Sequence, residues 1–148
     1  DNTLDTNRLE TIVQYLGRED ISSEQDLYNP TTPQYKAAMW LSQDDVSENL
    51  PIPSNTLGSS SLRLELVQRY VLLVLYFSLG NNNHWTKNYH FASHEHHECS
   101  WFERVLDLTE PLSEDGLSRA EPRYLAMGVS CDNELRVTSI ALRKYPNV

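Results

Sequence analysis

Hydrophobic positions recur at helical spacing near the start of the chain. In residues 6–18 the apolar side chains lie at i, i+3, i+4 and i+7, which predicts an amphipathic helix over these residues with Gly17 as its stop. These side chains are Leu9, Ile12, Val13 and Leu16. A second, shorter helical turn is predicted over residues 21–28, with Ser22 or Ser23 as its N-cap.

Thr32 and Pro33 predict the start of a third helix, because threonine is a good N-cap and proline suits the first helical position. The apolar residues that we expect this helix to bury are Ala37, Ala38, Trp40 and Leu41. Residues 43–60 are polar and rich in proline and serine, which predicts a loop.

The longest apolar run predicts a central helix over residues 61–79, with Ser61 as its N-cap and Gly80 at its end. From residue 70 to residue 79 nearly every side chain is apolar, which is typical of a helix buried on all sides. The run is too short to cross a bilayer, because a membrane helix needs about 20 apolar residues.

The second half of the chain has weaker signals. Residues 134–142 alternate and contain Val, Thr and Ile, which predicts a single strand. Residues 101–108 are compatible with a strand or a short helix, and residues 109–121 with an acidic loop. We therefore predict one domain over 1–148, mainly α with a small β element.

Composition narrows the classes of partner. The 148 residues carry a formal net charge of −9, which argues against a nucleic acid or an anionic membrane as the main partner. The hydrophobic fraction of 39% is that of a folded chain. Because residues 1–5 are acidic and polar, no signal peptide is visible, and position 1 is interpreted as a processed mature end.

The chain has two cysteines, Cys99 and Cys131. In a secreted protein they would pair, whereas in the cytosol they would stay reduced, and the count alone leaves both alternatives open. Cys99 lies two residues from His97, but nucleophilic catalysis needs a spatial arrangement that sequence adjacency does not supply.

All five histidines lie in one segment, at His84, His90, His94, His96 and His97. Imidazole is a metal ligand, so His94, His96 and His97 are candidates for a metal site, although the segment lacks a zinc-binding Cys-x-x-Cys motif. The first alternative is a polar rim of exposed histidines. The second is that protonation of the cluster below about pH 6.5 tunes an interface. We favour the polar rim and expect no metal and no cofactor.

Carboxylates and a tryptophan suggest two further kinds of chemistry. The acidic run that contains Glu110, Glu114 and Asp115 supplies paired carboxylates, but it has no aromatic platform for a sugar, and a solvated loop accounts for it better. Trp85 is kept as a candidate surface contact for a sugar. We therefore expect a protein that is not an enzyme.

Two motifs in order resemble the N-terminal cap of secreted leucine-rich-repeat proteins. The cap ends in Cys-x-Trp-x-Gly-Val-x-Cys, whose halves are similar to Cys99-Ser100-Trp101 and Gly128-Val129-Ser130-Cys131, and residues 137–142 resemble the first repeat strand. The variety in diatom and algal receptor-like proteins is more similar still. It resembles Pro33-Gln34-Tyr35-Lys36-Ala37 with Trp40-Leu41, then residues 66–72 with Leu75-Tyr76-Phe77, then Trp85.

The resemblance implies a helical cap stapled by a Cys99–Cys131 disulfide, with Trp40 and Trp101 in the core, close backbone approach at Gly128, and an extracellular location. Two departures stand out: residues 102–127 are inserted between the halves of the motif, and no Leu-x-x-Leu-x-Leu repeats follow. The concave ligand surface of the family is therefore missing from this sequence.

A cap covers the apolar end of a repeat array, and an uncovered strand edge pairs readily with another chain. We therefore expect an extracellular structural module that forms a homo-oligomer or filament, or pairs with another protein, through the edge of its C-terminal strand. The interface candidates are Leu135, Val137, Ile140 and Leu142. In the competing interpretations, residues 102–127 fold back and seal the edge, or the chain is the cap of a longer receptor-like protein that binds a peptide, glycan or protein.

Overall fold

Helices dominate the first half of the molecule and a small sheet completes the second. The computed structural model describes residues 2–43, 52–53, 60–80, 90–93, 95–106 and 124–142. The α-helices in these segments are α1 (Asn2–Arg18), α2 (Glu24–Leu27), α3 (Pro33–Gln43) and α4 (Ser60–Ser78). A 3-10 helix (Glu98–Ser100) then precedes β1 (Phe102–Leu106), β2 (Tyr124–Cys131) and β3 (Val137–Ala141). The predicted class, mainly α with a small β element, is confirmed.

The stripe of apolar residues on α1 faces the core, where Ile12 and Leu16 are fully buried. The predicted end at residue 18 is confirmed, with Gly17 in the last turn, whereas the helix begins earlier than predicted, at Asn2. The chain leaves the helix at Asp20, which has φ +58°, while Ile21 N–H donates to Leu16 O at 3.0 Å. This is a Schellman arrangement with an aspartate in the position that glycine usually takes.

Both predicted caps before α2 and α3 are present. Ser23 Oγ accepts from Asp26 N–H at 3.2 Å, and Thr32 Oγ1 accepts from Tyr35 N–H at 3.1 Å. The face of α3 that packs against α1 and α4 is fully buried at Ala37, Ala38 and Leu41, whereas Trp40 is half-buried at its margin.

Helix α4 packs along α3 and supplies much of the core. Its fully or nearly fully buried apolar residues are Leu66, Tyr70, Leu72, Leu73 and Tyr76. Burial raises the pKa of Tyr70, whose hydroxyl lies 2.8 Å from Ser22 Oγ. Ser61 lies inside the helix, so it is not the predicted N-cap, whereas Gly80 with φ +98° follows its end as expected.

The prediction that α4 is buried on all sides is wrong, because Val71 is 52% exposed. The helix packs at the margin of the helical layer, and its apolar outer face is therefore in part uncovered. No helix in the described segments is both long enough and apolar enough to cross a membrane.

The sheet is antiparallel in the order β1-β2-β3, so β2 is central. The strand expected over 134–142 is confirmed by β3, which is shorter than predicted. Its partner β2, which includes the second half of the cysteine motif, was not predicted. The strand alternative for residues 101–108 is confirmed by β1. The last residues of the inserted segment enter β2, while β1 and β3 form the two outer strands.

A tight turn joins β2 to β3. Leu135 N–H donates to Asp132 O at 3.1 Å, Asp132 N–H donates to Arg136 O at 2.9 Å, and Leu135 has φ +63°. Asp132 Oδ1 fixes the turn by accepting from Glu134 N–H at 2.9 Å and Arg136 N–H at 3.0 Å. Leu135 is thus in a hairpin loop with a left-handed third residue, and not in the strand as the sequence suggested.

Candidate functional site

The expected disulfide is present. Cys99 and Cys131 are bonded with a Cα–Cα distance of 5.7 Å, and they join the 3-10 helix to the end of β2. Both cysteines of the chain are therefore oxidised, and Cys99 is not available as a nucleophile or a thiolate ligand.

Gly128 is where two backbone segments meet most closely. A Cβ atom at this residue would lie 2.5 Å from Trp101 O and 2.9 Å from Phe102 Cα, and its φ is +111°. The next residue, Val129, donates its N–H to Trp101 O at 2.9 Å. The close approach expected at Gly128 is thus observed, and it holds β2 against the residues that follow Cys99.

Trp101 lies in the core with no exposed surface. Its ring centroid is 6.1 Å from that of Trp40, in an edge-to-face arrangement, and 5.6 Å from that of Phe91. The two tryptophans thus join α3 to the start of the sheet, and neither forms an exposed platform for a sugar.

A buried ion pair that was not predicted joins Arg69 of α4 to Glu98 of the 3-10 helix. Arg69 Nη1 lies 3.2 Å from Glu98 Oε2, and both side chains are almost completely buried. Arg69 also donates to the carbonyl oxygens of His96 at 3.1 Å and Ser93 at 3.4 Å. Its guanidinium therefore has several acceptors, which a charge in a low-dielectric interior requires.

Aromatic rings cover the same guanidinium. The Cζ atom of Arg69 is 5.2 Å from the Trp40 ring centroid and 4.8 Å from that of Trp101, both within cation–π range. The burial of Arg69 was not predicted, although its spacing along α4 indicates it. Arg69 is three residues after Leu66 and four before Leu73, so helical periodicity puts it on the buried face.

Gln68 extends this network to the sheet. Its Nε2 donates to Glu98 Oε1 at 3.2 Å and to Leu135 O at 3.0 Å, while its Oε1 accepts from Val137 N–H at 2.8 Å. One side chain of α4 thus holds the beginning of β3. The edge that the sequence predicted to be open is therefore occupied at Val137, its first residue, which is also half-buried.

His97 supports the same cluster. Its Nδ1 accepts from Cys99 N–H at 3.1 Å and its Nε2 lies 3.3 Å from Glu98 Oε1. Nδ1 therefore acts as a hydrogen-bond acceptor at the start of the 3-10 helix, while Nε2 faces a carboxylate oxygen of Glu98. The imidazole thus has a structural role at the start of the 3-10 helix.

The metal candidates do not come together in the described part of the chain. His96 Nδ1 is 2.8 Å from Ser93 Oγ, and His97 bonds within the polar cluster. No group of three or more metal-ligating side chains occurs among the residues that the structure describes. The remaining candidates, His94, Trp85, Glu110, Glu114 and Asp115, lie outside those residues.

Three of the four interface candidates are exposed, and Val137 is half-buried. Ile140 lies in β3, Leu142 follows it, and Leu135 lies in the β2–β3 turn.

Ile140 pairs directly with Val129, so the two side chains share one face of the sheet. Val129 is 1% exposed, whereas Ile140 is 41% exposed. Val137 and Ala141 of β3 still pack against the core, so the cover is lost at Ile140 and not along the whole strand.

Comparison with known proteins finds no relative of this chain. No protein family, no curated protein and no solved structure matches the chain.

Proposed function

We propose that this protein is a non-enzymatic extracellular structural module that associates with another chain through the outer edge of β3. The observation that carries the proposal is the step in exposure from Val129 to Ile140 along one face of the sheet. The sheet face that carries Val129 is apolar and remains apolar at Ile140, where the core no longer covers it. A further strand paired with β3 would bury Ile140 and extend the sheet.

The composition of β3 supports strand pairing. Natural edge strands are commonly protected by charged residues or proline, and β3, with the sequence Val-Thr-Ser-Ile-Ala, has neither. Gln68 occupies the edge only at Val137, the first residue of the strand. In the described segments no strand lies beyond β3. A partner strand would therefore pair with the later residues of β3.

A second copy of the chain is the partner that we favour. Two β3 edges related by a two-fold axis would form a closed dimer, whereas a contact between β3 and a different surface would propagate into a filament. The disulfide supports an extracellular location, because such bonds persist in oxidising compartments.

Negative-stain electron microscopy of the disulfide-intact protein at neutral pH tests this proposal. We expect regular oligomers or filaments for the natural chain and dispersed particles for Ile140→Lys, because a charge on an edge strand opposes pairing. Dispersed particles for the natural chain would refute self-assembly.

The second candidate function is that of an N-terminal cap for a leucine-rich-repeat array. The observation in its favour is the order of elements: the second cysteine of the disulfide ends β2, and a tight turn leads from it into β3. Ile140 in β3 and Leu142 just after it are exposed and alternate, as in a repeat strand. The next repeat would then cover the same edge. An intact mass from native material separates the candidates, because 17.1 kDa favours the assembly and a longer chain with repeats favours the cap.

A further inference from the structure

We infer that the groove between α4 and the β2–β3 turn binds an extended, positively charged peptide segment, with an apolar residue of that segment placed on Leu135. The groove has a volume of about 120 Å³, and its lining includes Ser61, Leu64, Glu65, Gln68, Glu134 and Leu135. It is separate from the outer edge of β3 and requires no strand pairing, so the inference does not rest on the function proposed above.

Leu135 is the reason to regard this groove as a binding surface. Its φ of +63° is a conformation that glycine or asparagine adopts at little cost and leucine does not. The side chain is 54% exposed, so burial in the folded chain only partly offsets that cost. A strained, exposed leucine at a turn is better explained by contact with a partner than by the stability of the fold.

The apolar surface continues on both sides of Leu135. On the α4 side Leu64 is 47% exposed. On the other side lies a wider depression of about 320 Å³, lined by Phe102, Val129 and the disulfide. Leu135 therefore forms a ridge between two depressions, a shape that suits an extended chain crossing it better than a compact ligand.

Charge complementarity indicates the chemistry of the occupant. Glu65 and Glu134 line the groove, and Asp132 lines the adjoining depression. Of the described lining residues, Arg136 alone carries a fixed positive charge, and its Nε lies 3.6 Å from Glu134 Oε2. The surface is therefore acidic around an apolar centre, and the whole chain has a net charge of −9. Lysine or arginine on either side of a leucine in the partner would match it.

The test uses the disulfide-intact full chain and three sets of short synthetic peptides. Each has a central leucine, flanked by lysines, serines or glutamates, and binding is measured by fluorescence anisotropy at physiological salt. We expect lysine-flanked peptides to bind roughly tenfold or more tighter than serine-flanked ones, and glutamate-flanked ones not at all. Leu135→Gly should weaken binding of the lysine-flanked peptides by about tenfold or more without lowering the melting temperature.

Ile140→Thr is the control, because it alters the β3 edge and leaves the groove intact. Equal peptide binding by the natural chain and Leu135→Gly would overturn the inference, as would the absence of any binding by the lysine-flanked peptides. Self-association that Leu135→Gly abolishes, without peptide binding, would assign the groove to a second copy of the chain and would equally overturn it. Loss of binding in Ile140→Thr would place the peptide on the edge instead.

Discussion

At the scale of single residues, Gly128 shows how one missing side chain fixes the position of the sheet. Its φ of +111° and the 2.5 Å distance from a hypothetical Cβ to Trp101 O both exclude larger residues. We predict that Gly128→Ala lowers the free energy of unfolding by roughly 3 kcal/mol or more, because backbone atoms and not a flexible side chain would have to move. Denaturant unfolding of the oxidised protein measures this loss.

Gly17→Ala is the matched control for that substitution. Gly17 lies in the last turn of α1, and a Cβ atom there would lie 3.3 Å from Cγ of the flexible Glu24 side chain and 3.7 Å from Leu27 Cδ1. Alanine there should be neutral or stabilise by about 0.5–1 kcal/mol, because it favours the helix. Similar losses from both substitutions would contradict our account of Gly128.

The substitution Leu135→Gly should not destabilise the fold, in contrast to Gly128→Ala. The left-handed conformation of Leu135 costs about 1–2 kcal/mol, and Leu135→Gly removes this cost. Glycine also increases the entropy of the unfolded chain, which offsets part of the gain in stability. We predict a free energy of unfolding that is unchanged or up to about 1 kcal/mol higher, measured by urea unfolding. A clear loss of stability would show that the exposed leucine serves the fold, which is contrary to our interpretation.

At the scale of elements, the Arg69–Glu98 pair links α4 to the segment that carries the disulfide. We predict that Arg69→Met and Glu98→Gln each lower the free energy of unfolding by about 3–5 kcal/mol, because each leaves one buried group without its ionic partner. In the double variant neither charge remains, so its loss should be smaller than the sum of the two single losses.

The exposed pair of Arg63 and Glu19, 3.2 Å apart, provides the control. Arg63→Met should cost less than about 1 kcal/mol, since solvent screens this pair. A double-mutant cycle by denaturant unfolding measures the coupling energy of the buried pair and of the exposed pair. Strictly additive losses at Arg69 and Glu98 would contradict the predicted coupling between these two residues.

Local signals account for what the sequence predicted at this scale. Thr32 caps α3, and the spacing from Leu9 to Leu16 identifies the buried face of α1, because both depend on neighbouring residues alone. The pairing of β1 with β2 brings together the two ends of the inserted segment, residues 102–127, so no local pattern revealed it. Helical phase did place Arg69 on the buried face, but its charge suggested exposure, and its partner Glu98 lies far along the chain.

At the scale of the whole molecule, the disulfide joins the 3-10 helix to the end of β2, the central strand of the sheet. It closes a loop between cysteines 32 positions apart, which in the chain-entropy account stabilises the fold by about 4 kcal/mol. We predict that the Cys99→Ser, Cys131→Ser double variant loses up to this amount in thermal or denaturant unfolding. A double variant as stable as the oxidised protein would contradict the view that the bond holds β2 to the 3-10 helix.

The central claim is that the outer edge of β3 is a surface for association. Sedimentation velocity of the oxidised chain over a wide concentration range tests it most directly. The variants are Ile140→Lys and, as a control at an exposed apolar site on α4, Val71→Lys. We predict species heavier than 17.1 kDa for the natural chain and Val71→Lys, and a monomer for Ile140→Lys. A natural chain that remains monomeric at every concentration, or an Ile140→Lys variant that associates equally well, would contradict the claim.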